Sequence, residues 1–180
     1  MTDRPLDLSK LRLLVLDVDG VLTDGRIVLT PDGAEIKSFH VRDGSGIKYW
    51  QRTGRQVAII SGRSSPAVTR RAGELGIENV RLSAQRKLPV YQELLAALSV
   101  PEELTAVVGD DLPDIPLMRH CGLAVAVADA AEEVKAAADH VTTASGGNGA
   151  VREVIEHILK AAGDWPKVIE RYYSDREGAL

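Results

Sequence analysis

The sequence predicts an α/β fold, a three-layer Rossmann-like domain around a parallel β-sheet. Three observations lead there. Short apolar runs rich in β-branched residues recur without polar alternation, as strands covered on both faces require. Each run is followed by a polar turn and an amphipathic segment, the alternation that builds a parallel sheet. Acids stand where the runs end, and open parallel sheets bind ligands beyond the carboxyl ends of their strands.

In chain order, LRLLVLD (11–17) reads as the first strand, entered from a polar leader and left through acids. RIVLTPDGAEIKSFHV (26–41) then breaks the rhythm with two extended runs about TPDG, a hairpin signal. It sits directly after the acids, where larger enzymes of this architecture insert a whole domain; here there is room only for a hairpin. QVAIIS (56–61), NVRLS (79–83), LTAVVGD (104–110) and LAVAVAD (123–129) supply the remaining strands. Helices are expected near 45–54, 64–76, 87–98, 112–121, 131–138 and 148–161. The proline and acids of VPEEL (100–104) end one helix and lead into the next strand. The tail from about 163 to 180, GDWPKVIERYYSDREGAL, reads as a short helix with a polar end. The expected organisation is therefore one domain over 1–180 with a hairpin insertion after the first strand.

Bulk properties exclude several classes. A chain of 180 residues with 44% hydrophobic residues suits a single globule with a sizeable core. A net charge of −4 gives nucleic acid no electrostatic reason to bind. The one cysteine, Cys121, can form no internal disulfide, fits a reducing compartment and reads as a small core residue. No segment is apolar enough for a signal peptide or a bilayer span, so the expectation is a cytoplasmic protein without a membrane partner. The four histidines are scattered, without zinc-like spacing.

The run ends carry the chemistry. LLVLD delivers Asp17, with Asp19 two residues on; VAII delivers Ser61 in SGR; TAVV delivers Asp110, Asp111 and Asp114 in GDDLPD; Lys87 opens the helix between the last two. Crowded carboxylates disfavour one another's ionisation, so something must compensate for Asp17 and Asp110. A hard cation such as Mg²⁺ prefers carboxylate oxygens and would do so. A carboxylate can attack phosphorus to form an aspartyl-phosphate, and a second acid two residues away can protonate the leaving alcohol and then activate water. Ser61 and the amide of Gly62 would donate hydrogen bonds to the transferring phosphoryl group, and Lys87 would neutralise its charge. Taken singly, an acid after a strand is as readily a helix cap, SGR a turn and Lys87 a solvated residue. For Asp111, capping weighs as much as chemistry, and GGNG (146–149) reads better as a turn than as a phosphate loop. In this order, at these run ends, the set points to phosphoryl transfer.

DVDGVLTD (17–24), Ser61, Lys87 and GDDLPD (109–114) resemble the four motifs of the haloacid dehalogenase superfamily of phosphohydrolases. Asp19 argues against a dehalogenase, which lacks the second acid. DVDGVLTDG, FHVRDGSGIK, AIISGRSS, GDDLPDIPLM, AVADA and GGNGAVREV further resemble the 3-deoxy-D-manno-octulosonate 8-phosphate phosphatases over about residues 11–160. The resemblance implies a capless, Mg²⁺-dependent homotetramer whose neighbouring subunits help close each site. It implies Asp17 as nucleophile and metal ligand, and Asp19 as acid/base and substrate contact with its carbonyl on the metal. Asp110 would complete the protein ligands, with Asp111 and Asp114 in support. Substrate contacts would fall at His40, Val41, Arg42, Asp43, Gly44, Lys48, Gly62, Arg63, Arg71 and Lys87. Several cations suit a substrate that carries both a carboxylate and a phosphate. The chain departs from the family's pattern at His40, where asparagine is usual, and at Lys48, where arginine is usual. LSAQRK (82–87) stands for a glycine-containing loop, and Asn148 for an arginine.

Rival readings are a phosphatase for another sugar acid, such as an acylneuraminate 9-phosphate, and a broad phosphatase retaining only the scaffold. A receiver-type signalling module also combines Mg²⁺, a phosphorylatable aspartate, a hydroxyl and a lysine. Its acidic pair comes first and its acceptor in mid-chain, opposite to the order here.

Overall fold

The first strand, β1 (Leu13–Leu16), buries all four of its side chains, which suits only the centre of a sheet covered on both faces. In the computed structural model, which describes residues 7–173, it occupies that centre. The two-stranded hairpin β2 (Val28–Leu29) and β3 (Glu35–Ile36) follows. The sheet is completed by β4 (Gln56–Ile60), β5 (Asn79–Arg81), β6 (Thr105–Gly109), β7 (Leu123–Ala126) and β8 (His140–Val141). Its order is β5-β4-β1-β6-β7-β8, parallel throughout. The chain winds outward from β1 through β4 to β5, then crosses back to begin the other half at β6. That reversal creates the crevice where such sheets take ligands.

Register brings the ends together. Leu16 pairs with Ile59 on one side and Val108 on the other, so the residues that leave β1, β4 and β6 emerge side by side. Among the described residues, seven helices connect and flank the strands: α1 (Val41–Arg52), α2 (Pro66–Leu75), α3 (Lys87–Leu98), α4 (Ile115–Met118), α5 (Glu132–Ala137), α6 (Ala150–Ala161) and α7 (Trp165–Tyr173). α1 packs on α6, and α4 lies against β6 and β7. Trp50 is fully buried, and its indole N–H donates to the Gln56 carbonyl at 2.7 Å. Tyr91, equally buried, shares a 2.6 Å hydrogen bond with the Thr105 hydroxyl. Each aromatic body thus joins the core without stranding its polar tip.

The elements differ from expectation at their edges. The acids and the serine that end the apolar runs lie just beyond the strands, and LAVAVAD is extended only to Ala126. α1 begins at Val41, not near 45, because His40 holds the extended conformation of a helix cap. The hairpin is correspondingly short, two residues a strand, and does not run on to 41. The segment 112–121 is a single 3-10 turn at Leu112–Asp114 followed by the four-residue α4, with a proline second in each piece. β8 was not foreseen. The helix expected in the tail is α7; the polar end after Tyr173 lies outside the described residues. Cys121 packs against the core with its Sγ donating to the Met118 carbonyl, and burial pushes the thiol up to about 12.

Candidate active site

Asp17, Ser61 and Asp110 are the residues that immediately follow β1, β4 and β6, and they line one cleft with Lys87. Close packing of backbone makes the arrangement. A Cβ on Gly20, whose φ is +91°, would lie 2.0 Å from Asp110 Oδ2, so the loop after β1 can press on that acid only with glycine there. The GGNG turn braces the same loop from behind: Gly147 N–H donates to the Val21 carbonyl, and a Cβ on Gly146 would meet the Gly20 carbonyl oxygen at 1.7 Å. This turn does not face the cleft; it supports the loop that does.

Lys87, the first residue of α3, is buried between Asp17 Oδ1 at 2.8 Å and Asp114 Oδ1 at 2.7 Å. Burial works against its charge, but the two carboxylates outweigh it and hold the ammonium above its ordinary value. Asp17 is pushed up to about 6, by burial first and then by Asp114, with Lys87 pulling the other way. Asp110 is pushed up to about 8, by burial and then by Asp17 and Asp114. Buried Asp110 Oδ1 has no hydrogen-bond partner, and buried Asp17 Oδ1 has only its ion pair with Lys87. Asp17, Asp110 and Asp114 each offer an oxygen within 4.8 Å of the others, and this is the one such acidic or histidine cluster among the described residues. Asp114 is already engaged: Lys87 takes Oδ1, and the Asp110 backbone N–H donates to Oδ2 at 3.2 Å. Asp110 therefore keeps an open oxygen and Asp17 is shared only with Lys87, and a hard divalent cation fits that donor set. Asp111 accepts from the Leu112 backbone N–H at 2.8 Å and forms a reciprocal capping box with Asp114.

Asp19 also lines the cleft, but its carboxylate is paired with two cations and is not part of the acid cluster. Lys37 Nζ bonds to Oδ1, and Arg63 Nε lies 3.6 Å from Oδ2. Both cations continue to Glu35, Lys37 at 3.2 Å and Arg63 at 2.5 Å, closing a ring of four alternating charges. Burial alone would push Glu35 up; hydrogen bonds from Arg63 and Lys37 outweigh it and hold this carboxyl below its ordinary value. Sequence reasoning missed Glu35 and Lys37. The usable signal was their i, i+2 spacing, which puts both on one face of an extended strand.

Ser61 is buried, and its Oγ accepts from the Arg63 backbone N–H at 3.3 Å. The LSAQRK loop folds over it: Ala84 N–H donates to the Ser61 carbonyl at 2.9 Å, and Gln85 donates to the Gly62 carbonyl at 3.2 Å. Ser83 adopts φ +60°, the left-handed conformation that glycine favours, so this loop keeps its shape at some strain.

The remaining expected contacts gather elsewhere, around the N-terminal half of α1. Asp43 is buried and accepts from the backbone N–H groups of Gly149 and Arg152, capping α6. Lys48 donates to the Leu75 carbonyl at 2.5 Å. Arg71 pairs with Glu74 at 3.3 Å and lies over Gly44 so closely that a Cβ there would come within 2.3 Å of its Nη2. Val41 and Arg42 are exposed, and His40 Nδ1 lies 3.9 Å from Asp43. None of these seven lines the cleft of its own chain.

An aspartate at the end of the central strand, a buried lysine and acids after the neighbouring strand point to a class of enzyme, the haloacid dehalogenase-like hydrolases. The profile of that class matches residues 83–155, which contain Lys87, Asp110 and Asp114. More of the chain aligns with individual proteins. It is 46% identical over 156 residues to the 3-deoxy-D-manno-octulosonate 8-phosphate phosphatase of Haemophilus influenzae, covering 87% of each chain. The corresponding Escherichia coli K12 phosphatase is 47% identical over 86% of this chain and 82% of its own. Among solved structures, the Moraxella catarrhalis phosphatase of that name, in complex with magnesium ion, phosphate ion and a KDO molecule, superposes with a TM-score of 0.90. It is 40% identical, over 92% of this chain and 95% of that one. The chain belongs to the 3-deoxy-D-manno-octulosonate 8-phosphate phosphatase family of phosphoric monoester hydrolases.

Proposed function

We propose that the chain hydrolyses 3-deoxy-D-manno-octulosonate 8-phosphate to the free sugar acid and phosphate, as one capless Mg²⁺-dependent domain. The observation that carries this reading is the buried carboxylate pair of Asp17 and Asp110, the first paired with Lys87 and the second carrying an unpartnered Oδ1, with Asp19 at the same mouth. Asp17 and Asp110, with the backbone carbonyl of Asp19, would hold the cation, which neutralises charge on the carboxylates and the phosphoryl group. An oxygen of Asp17 attacks phosphorus, the bond from phosphorus to the sugar oxygen breaks, and Asp19 delivers a proton to that oxygen. In the second step Asp19 takes a proton from water as the water attacks phosphorus. The bond to Asp17 then breaks and phosphate is freed. Ser61 and the Gly62 amide donate to the phosphoryl oxygens, and Lys87 holds Asp17 in line.

Recognition of the sugar carboxylate falls first to Arg63, the cation at the cleft mouth. Arg71, Lys48 and the stretch from His40 to Gly44 lie outside their own cleft, so they serve a substrate only across a subunit boundary. A homotetramer is part of this reading. Its support is the hairpin, whose Ile27, Val28, Leu29 and Ile36 are each about half exposed or more, apolar surface that water alone does not suit. A cytoplasmic location is likewise proposed, supported by a lone Cys121 that has no partner for an internal disulfide.

Initial rates over a panel test the reading: the octulosonate 8-phosphate, an acylneuraminate 9-phosphate and neutral sugar phosphates of similar size, each with Mg²⁺ and with chelator. The expected result is Mg²⁺-dependent turnover with the highest kcat/KM on the octulosonate. Preference for the acylneuraminate would reassign the substrate, and equal rates on neutral sugars would leave only a broad phosphatase.

A further inference from the structure

Lys37 is an unexpected side chain to find in the hairpin. Its side chain is 1% exposed, although the strands on either side of the turn are largely open to solvent. Removing an ammonium from water costs several kcal/mol unless close counter-charges offset it. The offset comes from Asp19 Oδ1 and Glu35 Oε1, and Glu35 is in turn fixed by Arg63. The four members of the ring are unequal. Lys37 is enclosed, while the Arg63 side chain is 47% exposed and stands 3.6 Å from Asp19 Oδ2, beyond hydrogen-bond length.

We propose that Lys37 is a positioning residue for Asp19, fixing the Oδ1 edge so that Oδ2 alone is presented to the substrate, with Arg63 the ring member that leaves to meet an anion. This rests on the acid/base role assigned to Asp19 above. The geometry divides the labour. A buried lysine on Oδ1 sets the rotamer of the carboxylate. A half-exposed arginine covers Oδ2 only loosely and can swing toward the cleft, Glu35 then keeping Lys37 as its remaining cation. During the first step the proton leaves Oδ2 for the sugar oxygen as the bond from that oxygen to phosphorus breaks; in the second, Oδ2 takes the proton of water. Neither transfer is efficient unless Oδ2 is aimed, and a general acid or base contributes roughly 10²- to 10⁴-fold. The hairpin thus reaches back into the chemistry through one face, Glu35 and Lys37, while Val28 and Ile36 pair on the other.

A leaving-group comparison separates positioning from mere anchoring of the hairpin. An alkyl phosphate needs a proton on its departing oxygen, whereas p-nitrophenolate departs without one, and kcat/KM reports only through the step that releases it. In full-length Lys37→Met, kcat/KM for the octulosonate phosphate should fall about 100-fold, and for p-nitrophenyl phosphate less than about fivefold. Lys37→Arg keeps the buried charge, and with it the anchor, but displaces the donor. Its loss should be smaller and tilted the same way. Equal losses on both substrates in the two variants, or no loss in either, would overturn the proposal. If the unmodified protein fails on the octulosonate phosphate but hydrolyses another alkyl phosphate, the substrate assignment falls, and the Lys37 comparison is run with that alkyl phosphate.

Discussion

The carboxylate of Asp43 accepts a hydrogen bond from the backbone N–H of Arg152 at 2.8 Å, across more than a hundred residues of sequence. A second N–H, that of Gly149, donates to the same carboxylate at 3.2 Å. Asp43 sits in the first turn of α1, so one side chain ties that turn to the start of α6. The GGNG turn that α6 follows is the one braced against the loop of Asp17 and Asp19. Burial pushes the Asp43 carboxyl up, while the two N–H groups pull it back.

Truncating this cap should cost stability before it costs chemistry. Asp43→Ala leaves two helix-terminal N–H groups without their acceptor, a loss of about 1–3 kcal/mol. For a chain of this size that lowers Tm by roughly 3–10 °C. Asp43→Asn keeps one acceptor oxygen and should fall by less. Calorimetry of both variants checks the order; a larger loss for asparagine would contradict it.

Asp17→Asn should abolish turnover with the fold intact. The amide is no nucleophile toward phosphorus, yet it fills the same space and removes a charge that burial and Asp114 both disfavour. Lys87 keeps Asp114 as its partner. The chelated variant should therefore melt no lower than the chelated unmodified protein. Retained Mg²⁺-dependent hydrolysis would show that another group is the nucleophile.

The chemistry was legible because a strand buried on both faces writes an unbroken apolar run, and the residue that ends such a run is the one delivered to the crevice. Asp17, Ser61 and Asp110 could be read that way. β8 could not, since an edge strand of two half-exposed residues leaves no run. The start of α1 was hidden by the glycines of RDGSG. Asp43 and Lys48 are expected as substrate contacts through the family resemblance alone, and the sequence does not show what they hold within the chain. Their partners, the α6 amides and the Leu75 carbonyl, lie far along the chain. Lys37 was invisible for the same reason: pairing with Asp19 depends on how the hairpin folds back.

Stability and Mg²⁺ should be linked through pH. Asp17 near 6 and Asp110 near 8 both lie above the ordinary carboxyl value of 3.8. Without metal, the folded protein holds more protons than the unfolded chain across that interval, so its stability falls as pH rises through it. Bound Mg²⁺ needs those oxygens ionised, so its affinity rises over the same interval. The increase in Tm on adding Mg²⁺ should be larger at about pH 8.5 than at about pH 5.5. An equal or reversed increment would mean that the cation does not bind at these two acids.

The hairpin's outer face gives the sharpest test of assembly. Val28 and Ile36 are cross-strand partners at 48% and 53% exposure, so their side chains stand together on one face. Glu35 and Lys37, flanking Ile36 in sequence, point the opposite way toward Asp19. Ile36→Asp therefore places a charge on the apolar face without removing any member of the ring. Two-stranded hairpins are marginal alone, and burial against a neighbouring subunit would contribute roughly 25 cal/mol per Å² of apolar surface. Desolvating an unpaired carboxylate there would offset that gain. Light scattering should show a tetramer for the unmodified protein and smaller species for Ile36→Asp. Activity should fall as the tetramer is lost, because Arg71 and Lys48 then no longer reach a neighbour's cleft. Restored activity at high protein concentration would accompany reassembly. A monomeric unmodified protein that is fully active when dilute would show that each chain completes its own site.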